Sequence, residues 1–392
     1  MGELQRKRNV RKYIGANVAV GIAEFLVDSY ATIYLLSKGA TYTQIGIMWM
    51  LYLGVTAITD YPTGGLADKY GRRKMYAIGI FLTALSYFII LSKNMNMLYL
   101  SYAIKGFATS LISGSLTAWF SCAINDEQCF DKAIAKNNFI MNVSSVILPV
   151  VFLLMNKVNL DVIFILCAVI HVVVGGATLI MCEENYGSSQ NILNIYSDTI
   201  RYFIKNRVLL FIAFVNVALY LFFTIFYYIW QPLALNIVKE QKYLPLYYGI
   251  YSICMGLGGY IVNLRFFQRE KKAVIAVMGM YFMSFILFAM SCQYQNLISF
   301  VSAMLFFGLA GGVVFIFVSS YINRNADEKY KASIYSLISS IATITNVIFQ
   351  VVFGKIIDLF GYQILISIGI IVVIIITVGL LCVCSEKSKY VF

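Results

Sequence analysis

The sequence predicts an all-α membrane protein with twelve transmembrane helices in two six-helix halves, and three observations predict it. Of 392 residues, 60% are hydrophobic and the mean hydropathy is +0.80, more apolar surface than a soluble domain can hide in one core. Apolar runs of membrane-crossing length, about 20 residues, recur twelve times, six on each side of a polar middle. The bases gather in alternate connections between those runs. The runs are continuous rather than alternating, and lipid admits only helices or closed barrels, so each reads as a helix.

In the first half the runs lie at 13–36, 44–63, 75–92, 97–120, 138–156 and 161–182. The first follows a basic arm of Arg6, Lys7, Arg8, Arg11 and Lys12. Between runs two and three stands the densest polar stretch, Asp60-Tyr-Pro-Thr-Gly-Gly-Leu-Ala-Asp-Lys-Tyr-Gly-Arg-Arg-Lys74, two acids and four bases in a chain only 12% charged. Its Pro-x-Gly-Gly is expected to stop the second helix and open a polar hinge of about ten residues. Run four carries Ser113-Gly114-Ser115, and run five carries Asn138, Asn142, Ser144, Ser145 and Pro149. The sole histidine, His171, sits in Cys167-Ala-Val-Ile-His-Val-Val-Val of run six. With no carboxylate at dyad or metal-ligand spacing it reads as a packed core residue.

The polar middle, 183–207, holds the flexible Gly187-Ser-Ser-Gln and then apolar residues at three- and four-residue spacing, the pattern of an amphipathic helix on the inner membrane surface. The chain therefore divides into a first bundle at 1–182, a cytoplasmic linker at 183–207 and a second bundle at 208–392. Runs of the second half lie at 208–236, 246–263, 274–291, 297–321, 333–354 and 362–384. The seventh carries Asn216, Tyr220, Tyr227, Trp230 and Gln231. The eighth leads into a basic hinge, Arg265 to Lys272, that weakly echoes the first-half hinge. The tenth carries Gly308, Gly311 and Gly312, small enough for close helix contact. The eleventh places Asn346 and Gln350 on one face.

With a cytoplasmic N-terminus, twenty-three of the 30 Lys and Arg fall on the inner side, which places both termini in the cytoplasm. The net charge of +12 then belongs to loops facing an anionic leaflet, and nucleic-acid binding is disfavoured. Eight cysteines show no metal-ligand spacing, and no metal or organic cofactor is implied. A channel is disfavoured by the lack of pore loops or charge rings.

Ionisable groups deep in a membrane are costly and mark function. Three stand well inside the runs, Glu24, Asp28 and Lys105, all in the first half. Glu24 and Asp28 are four residues apart and share a helix face. At about 1.5 Å per residue, Asp28 lies roughly 10 Å from the outer end of its run and Lys105 roughly 12 Å deep, so these two meet at one level.

Gly64-Gly-Leu-Ala-Asp68-Lys69-Tyr-Gly71-Arg72-Arg73-Lys74 resembles the G-x-x-x-D-[RK]-x-G-[RK]-[RK] signature of the major facilitator superfamily, at the connection where that family carries it. The resemblance implies the major facilitator fold and a secondary transporter working by alternating access. It implies that Asp68 faces the positive end of span eleven near Lys331-Ala-Ser333 as a cytoplasmic latch. Asp60, in Asp-x-Pro-Thr-Gly, resembles the acid of a bacterial subgroup and is expected at the inner gate. Because spans one and four line the cavity in that family, the resemblance supports an ion pair between Asp28 and Lys105. Glu24 is then left as the group that takes up and releases the coupling proton.

Asn142, Asn216, Tyr227, Trp230, Gln231, Asn346 and Gln350 are the expected cavity residues. A cavity acidic on one side and aromatic on the other suits a small amphipathic neutral or cationic solute. Efflux of a drug-like or antibiotic compound is the leading expectation, although Asn142-Val-Ser-Ser-Val-Ile-Leu-Pro149 keeps only the proline of the pattern common in drug antiporters. Import of a nutrient or metabolite is the alternative, and a polytopic membrane enzyme ranks below both. The expected partners are the solute, protons with sodium left open, and the lipid bilayer. The expected setting is a monomer, multi-pass in a bacterial inner membrane.

Overall fold

The computed structural model describes residues 3–386 apart from 114, 125, 155–157, 187–192, 263–269 and 328–330. Among the described residues the regular elements are α-helices and one 3-10 turn at Gln241–Tyr243. The helices are α1 (Glu3–Ser37), α2 (Tyr42–Tyr70), α3 (Arg72–Ile89), α4 (Met95–Ile112), α5 (Ser115–Ile124), α6 (Glu127–Leu153) and α7 (Leu160–Met181). After these come α8 (Leu193–Lys205), α9 (Arg207–Val238), α10 (Leu244–Ile261), α11 (Glu270–Tyr294), α12 (Leu297–Asn325), α13 (Lys331–Phe360) and α14 (Gln363–Glu386). Each apolar run coincides with a helix, the fourth being divided between α4 and α5. Among the described residues, eight stretches are long and apolar enough to cross a membrane by length and composition alone. The remaining four runs are α2, α3, α10 and α14. Of these, α2 dilutes its apolar residues with Tyr, Thr and Gly, α10 dilutes them with Tyr and Gly, and α3 opens on the basic triplet 72–74.

Two compact units divide the chain: Met1–Ala40, Gln44–Leu148 and Met155–Asn191 form one, and Thr41–Thr43, Pro149–Leu154 and Ile192–Phe392 form the other. The core of the first packs Tyr13, Tyr76, Ile80, Leu116, Trp119 and Phe120, with Tyr13 stacked on Phe120 at 4.2 Å. The core of the second is aromatic: Phe226 stacks on Phe307 at 4.4 Å, and Tyr281, Phe285, Phe288 and Phe300 are fully buried. Four helices begin on an asparagine whose side chain accepts from the first free backbone N–H groups: Asn94 for α4, Asn159 for α7, Asn206 for α9 and Asn296 for α12. These caps satisfy donors that the helix itself leaves unpaired.

In the second unit α10 and α12 approach closely because glycines line their crossing. A Cβ on Gly308 would lie 2.6 Å from the carbonyl oxygen of Tyr251, and Gly258 and Gly312 face the carbonyl oxygens of Leu309 and Met255 more tightly still. Gly311 instead faces Phe223.

The structure departs from the sequence reading in four places. α1 starts at Glu3, well before position 13, because Arg6 pairs with Asp126 at 2.6 Å and Asn9 Nδ2 donates to the Ala123 carbonyl, docking the basic arm as helix. Span four is broken after Ser113, whose backbone leaves the helical region. The expected hinge after Asp60 is helical: α2 runs through Pro62 to Tyr70, where the Thr63 hydroxyl donates to the carbonyls of Thr59 and Ser110. The chain turns only at Gly71, with φ of 110°, a conformation that strongly favours glycine. Among the described residues, nothing stands within 4 Å of where a Cβ on Gly64 or Gly65 would lie. Finally, α8 forms where the amphipathic helix was expected, but Tyr202 Oη donates to the Asn325 carbonyl at the end of α12 and accepts from the Asp327 N–H. The helix is thus anchored to the second unit. The Gly187-Ser-Ser-Gln turn and most of the second basic hinge lie outside the described residues.

Candidate functional site

The first unit gathers its buried charges at one point. Cys167 Sγ donates to the Ala23 carbonyl at 3.4 Å, setting α7 against α1, and one turn along α7 this register brings His171 beside Glu24, the residue after Ala23. Lys105 Nζ, reaching from α4, lies 2.9 Å from Glu24 Oε2. Tyr87 Oη, from α3, donates to Glu24 Oε1 at 2.5 Å. Lys105 Nζ also stands over the Tyr87 ring at 5.0 Å and the Tyr52 ring at 5.9 Å, aromatic faces that further stabilise a cation. Four helices thus deliver one carboxylate, one ammonium, one phenol and one imidazole to a single cluster.

This corrects the expected pairing. Lys105 pairs with Glu24 rather than leaving it alone, because a four-carbon stem spans a helical turn and Cα depth does not decide which acid it meets. Glu24 also has Tyr87 and His171 converging on it. Asp28 remains close enough to contribute to the field at Lys105 and has interactions of its own. His171 is fully buried, as a core residue would be, yet it faces a carboxylate, which the sequence reading missed. The available signal was the rule that flagged Glu24: an ionisable ring in mid-membrane needs a polar partner.

The motif from Asp60 to Lys74 forms a second polar constellation in the same unit. Arg72 donates to Asp68 Oδ1 through Nε at 3.0 Å and Nη2 at 2.8 Å, while its Nη1 reaches the Ala118 carbonyl and Cys122 Sγ. Arg73 uses Nη1 on the carbonyls of Leu179 and Cys182, free acceptors at the end of α7. Glu184 completes the knot: its Oε1 accepts from the Arg73 N–H at 2.8 Å, and its carboxylate fills the space where a side chain on Gly71 would stand. Trp119 Nε1 donates to the Glu183 carbonyl at 2.6 Å, and Asn185 closes back onto Trp119. Lys69 Nζ lies over the Tyr70 ring at 5.1 Å. Asp60 and Gly64 are exposed on α2. The side chains of 331–333, expected opposite Asp68, lie outside those described.

In the second unit the expected cavity residues separate into two groups. Asn346 Oδ1 accepts from the Thr224 hydroxyl and from Gln350 Nε2, and Tyr228 Oη donates to the Gln350 carbonyl at 2.8 Å. This joins α9 to α13 by neutral polar groups, with Gln231 buried on α9. Trp230 is fully buried between Phe226 and Tyr248, its ring nearly parallel to both, and Tyr227 Oη meets Tyr248 Oη at 3.3 Å. Asn216 is half-buried nearer the start of α9, and Asn142 is exposed on α6 of the other unit.

The sequence model of the Major Facilitator Superfamily matches residues 14–344. The chain belongs to this superfamily. A relative in Bacillus subtilis (strain 168), described as an uncharacterised MFS-type transporter, YxaM, is 25% identical over 359 residues, covering 87% of each chain. Among solved structures, the nucleoside transporter NupG superposes with a TM-score of 0.78 at 12% identity, covering 95% of this facilitator and 98% of NupG. An inward-facing, unoccupied bacterial homologue of the human lysosomal transporter Spinster superposes with a TM-score of 0.71 at 10% identity, covering 98% and 96%. This facilitator is therefore an integral, multi-pass membrane transporter of the major facilitator fold and not an enzyme.

Proposed function

We propose that this facilitator is a proton-coupled secondary transporter that exports a small amphipathic, drug-like or antibiotic compound across a bacterial plasma membrane by alternating access. The observation that supports it is the ion pair of Glu24 and Lys105 with Tyr87 and His171 converging on the same carboxylate. Buried charge of this kind is expensive unless it is used. Protonation of Glu24 removes the partner of Lys105, so one proton switches the cluster between two electrostatic states. The neutral amides and aromatic rings on α9 and α13 suit a solute of low charge. In this reading the motif around Asp68, Gly71 and Arg72 is the cytoplasmic gate.

The test is transport of a panel of amphipathic compounds in membrane vesicles of both orientations, with a pH gradient imposed and then collapsed. Efflux that follows the gradient in wild type and is lost in Glu24→Gln supports the reading; transport indifferent to both sinks it. A second reading, import of a neutral nutrient, is favoured by the hydrogen-bonding carboxamides of Asn346 and Gln350 and by the fold shared with a nucleoside transporter. The same vesicles separate the two by direction, with nucleosides included in the panel.

A further inference from the structure

The proton bookkeeping of the charged cluster does not close on Glu24 alone. His171 is the single histidine of the chain, and its Nδ1 lies 2.7 Å from the carbonyl oxygen of Cys167, one turn back on α7. A carbonyl oxygen only accepts, so Nδ1 carries a hydrogen. In a neutral imidazole the other nitrogen is then a bare lone pair. That nitrogen, Nε2, has no hydrogen-bond partner among the described residues and points at Glu24 Oε1 from 3.5 Å.

Two opposed lone pairs, one of them on a fully buried ring, repel, and a single proton between them converts the repulsion into an attraction. The surrounding groups do not supply that proton to Nε2. Tyr87 Oη donates to Glu24 Oε1, and its ring stands edge-on to the imidazole at 5.4 Å. Lys105 Nζ is engaged on Oε2, and the Cys167 thiol donates to the Ala23 carbonyl. Asp28 stands one turn further along α1 and has interactions of its own.

We propose that the coupling proton is held between Nε2 of His171 and Oε1 of Glu24, so that the carrier is a histidine–carboxylate pair bridging α7 and α1 rather than a lone carboxyl. This deepens the proton-coupled reading above and rests on it. Loaded, the cluster holds a His171 imidazolium beside the Glu24 carboxylate. This form carries one more positive charge than neutral His171, ionised Glu24 and Lys105. Unloading needs no co-reactant, only departure of that proton to water when the site is opened.

Because the chain has one histidine, protein labelled with ring-nitrogen-15 histidine and carrying a histidine-free affinity tag yields signals from its two ring nitrogens and no others. Solid-state NMR in lipid bilayers over about pH 5 to 9 reads the protonation of each. In wild type Nδ1 is expected to be protonated throughout, and Nε2 to be protonated at neutral pH and to lose its proton as pH rises. In Glu24→Gln, Nε2 is expected to be unprotonated at neutral pH. A bare Nε2 in the wild type at neutral pH overturns the proposal, and so does a titration that Glu24→Gln leaves unmoved. The wild-type spectrum decides even if the variant fails to fold. Gradient-driven efflux with a bare Nε2 retires the shared site alone, whereas a shared proton with gradient-indifferent transport retires the coupling.

Discussion

At the scale of residues, the ion pair in the first unit makes an asymmetric prediction. Lys105→Met leaves Glu24 ionised without its cation, and removing one partner of a buried pair costs about 3–5 kcal/mol. The double variant Glu24→Gln with Lys105→Met removes both charges and is expected to regain most of that loss. Reversible unfolding in detergent or bicelles measures the cycle, and equal stability of single and double variants refutes the pairing. The participants Glu24, Asp28 and Lys105 were legible because buried charges are rare in this chain. The pairing was not, since the lysine stem reaches either acid and the choice depends on Tyr87 and His171 arriving from two other helices. The role of His171 was hidden for the same reason: its partner is 147 positions away in sequence, and only the packing of Cys167 against Ala23 brings them together.

At the scale of elements, the helix crossings and caps carry the predictions. Gly312→Ala places a methyl against the Met255 carbonyl, so α10 and α12 must separate; we expect a loss of about 1–3 kcal/mol, the range for overpacking, read as a lower unfolding midpoint. Asn206→Ala removes the acceptor for the N–H groups of Val208 and Leu209 and is expected to cost about 1 kcal/mol in the same assay. Glu184→Gln weakens the knot that holds the start of α3, and hydrogen exchange at 71–75 and 183–185 should rise together. Exchange rising at only one segment would show that the two are not joined through this side chain. The helices themselves were legible from hydropathy. The end of α2 was not, because Pro62 and two glycines read as a stop, whereas the helix runs through them with the Thr63 hydroxyl donating to the Thr59 and Ser110 carbonyls.

At the scale of the whole molecule, the family was visible in one motif and twelve apolar runs, while cargo and direction were not. Neutral carboxamides and aromatic rings bind many solutes, and nothing in their spacing prefers one face of the membrane. The open space beside Gly64 and Gly65 makes those positions informative in a different way. In a saturation library selected for growth, position 71 should disfavour every side chain, because its backbone is strained for one and the Glu184 carboxylate would have to move aside. Alanine at 64 or 65 meets no obstacle among the described residues. Depletion of those two codons under selection would then record a neighbour outside that set or one met only in another state of the working cycle, turning the two glycines into reporters of what approaches this face of α2.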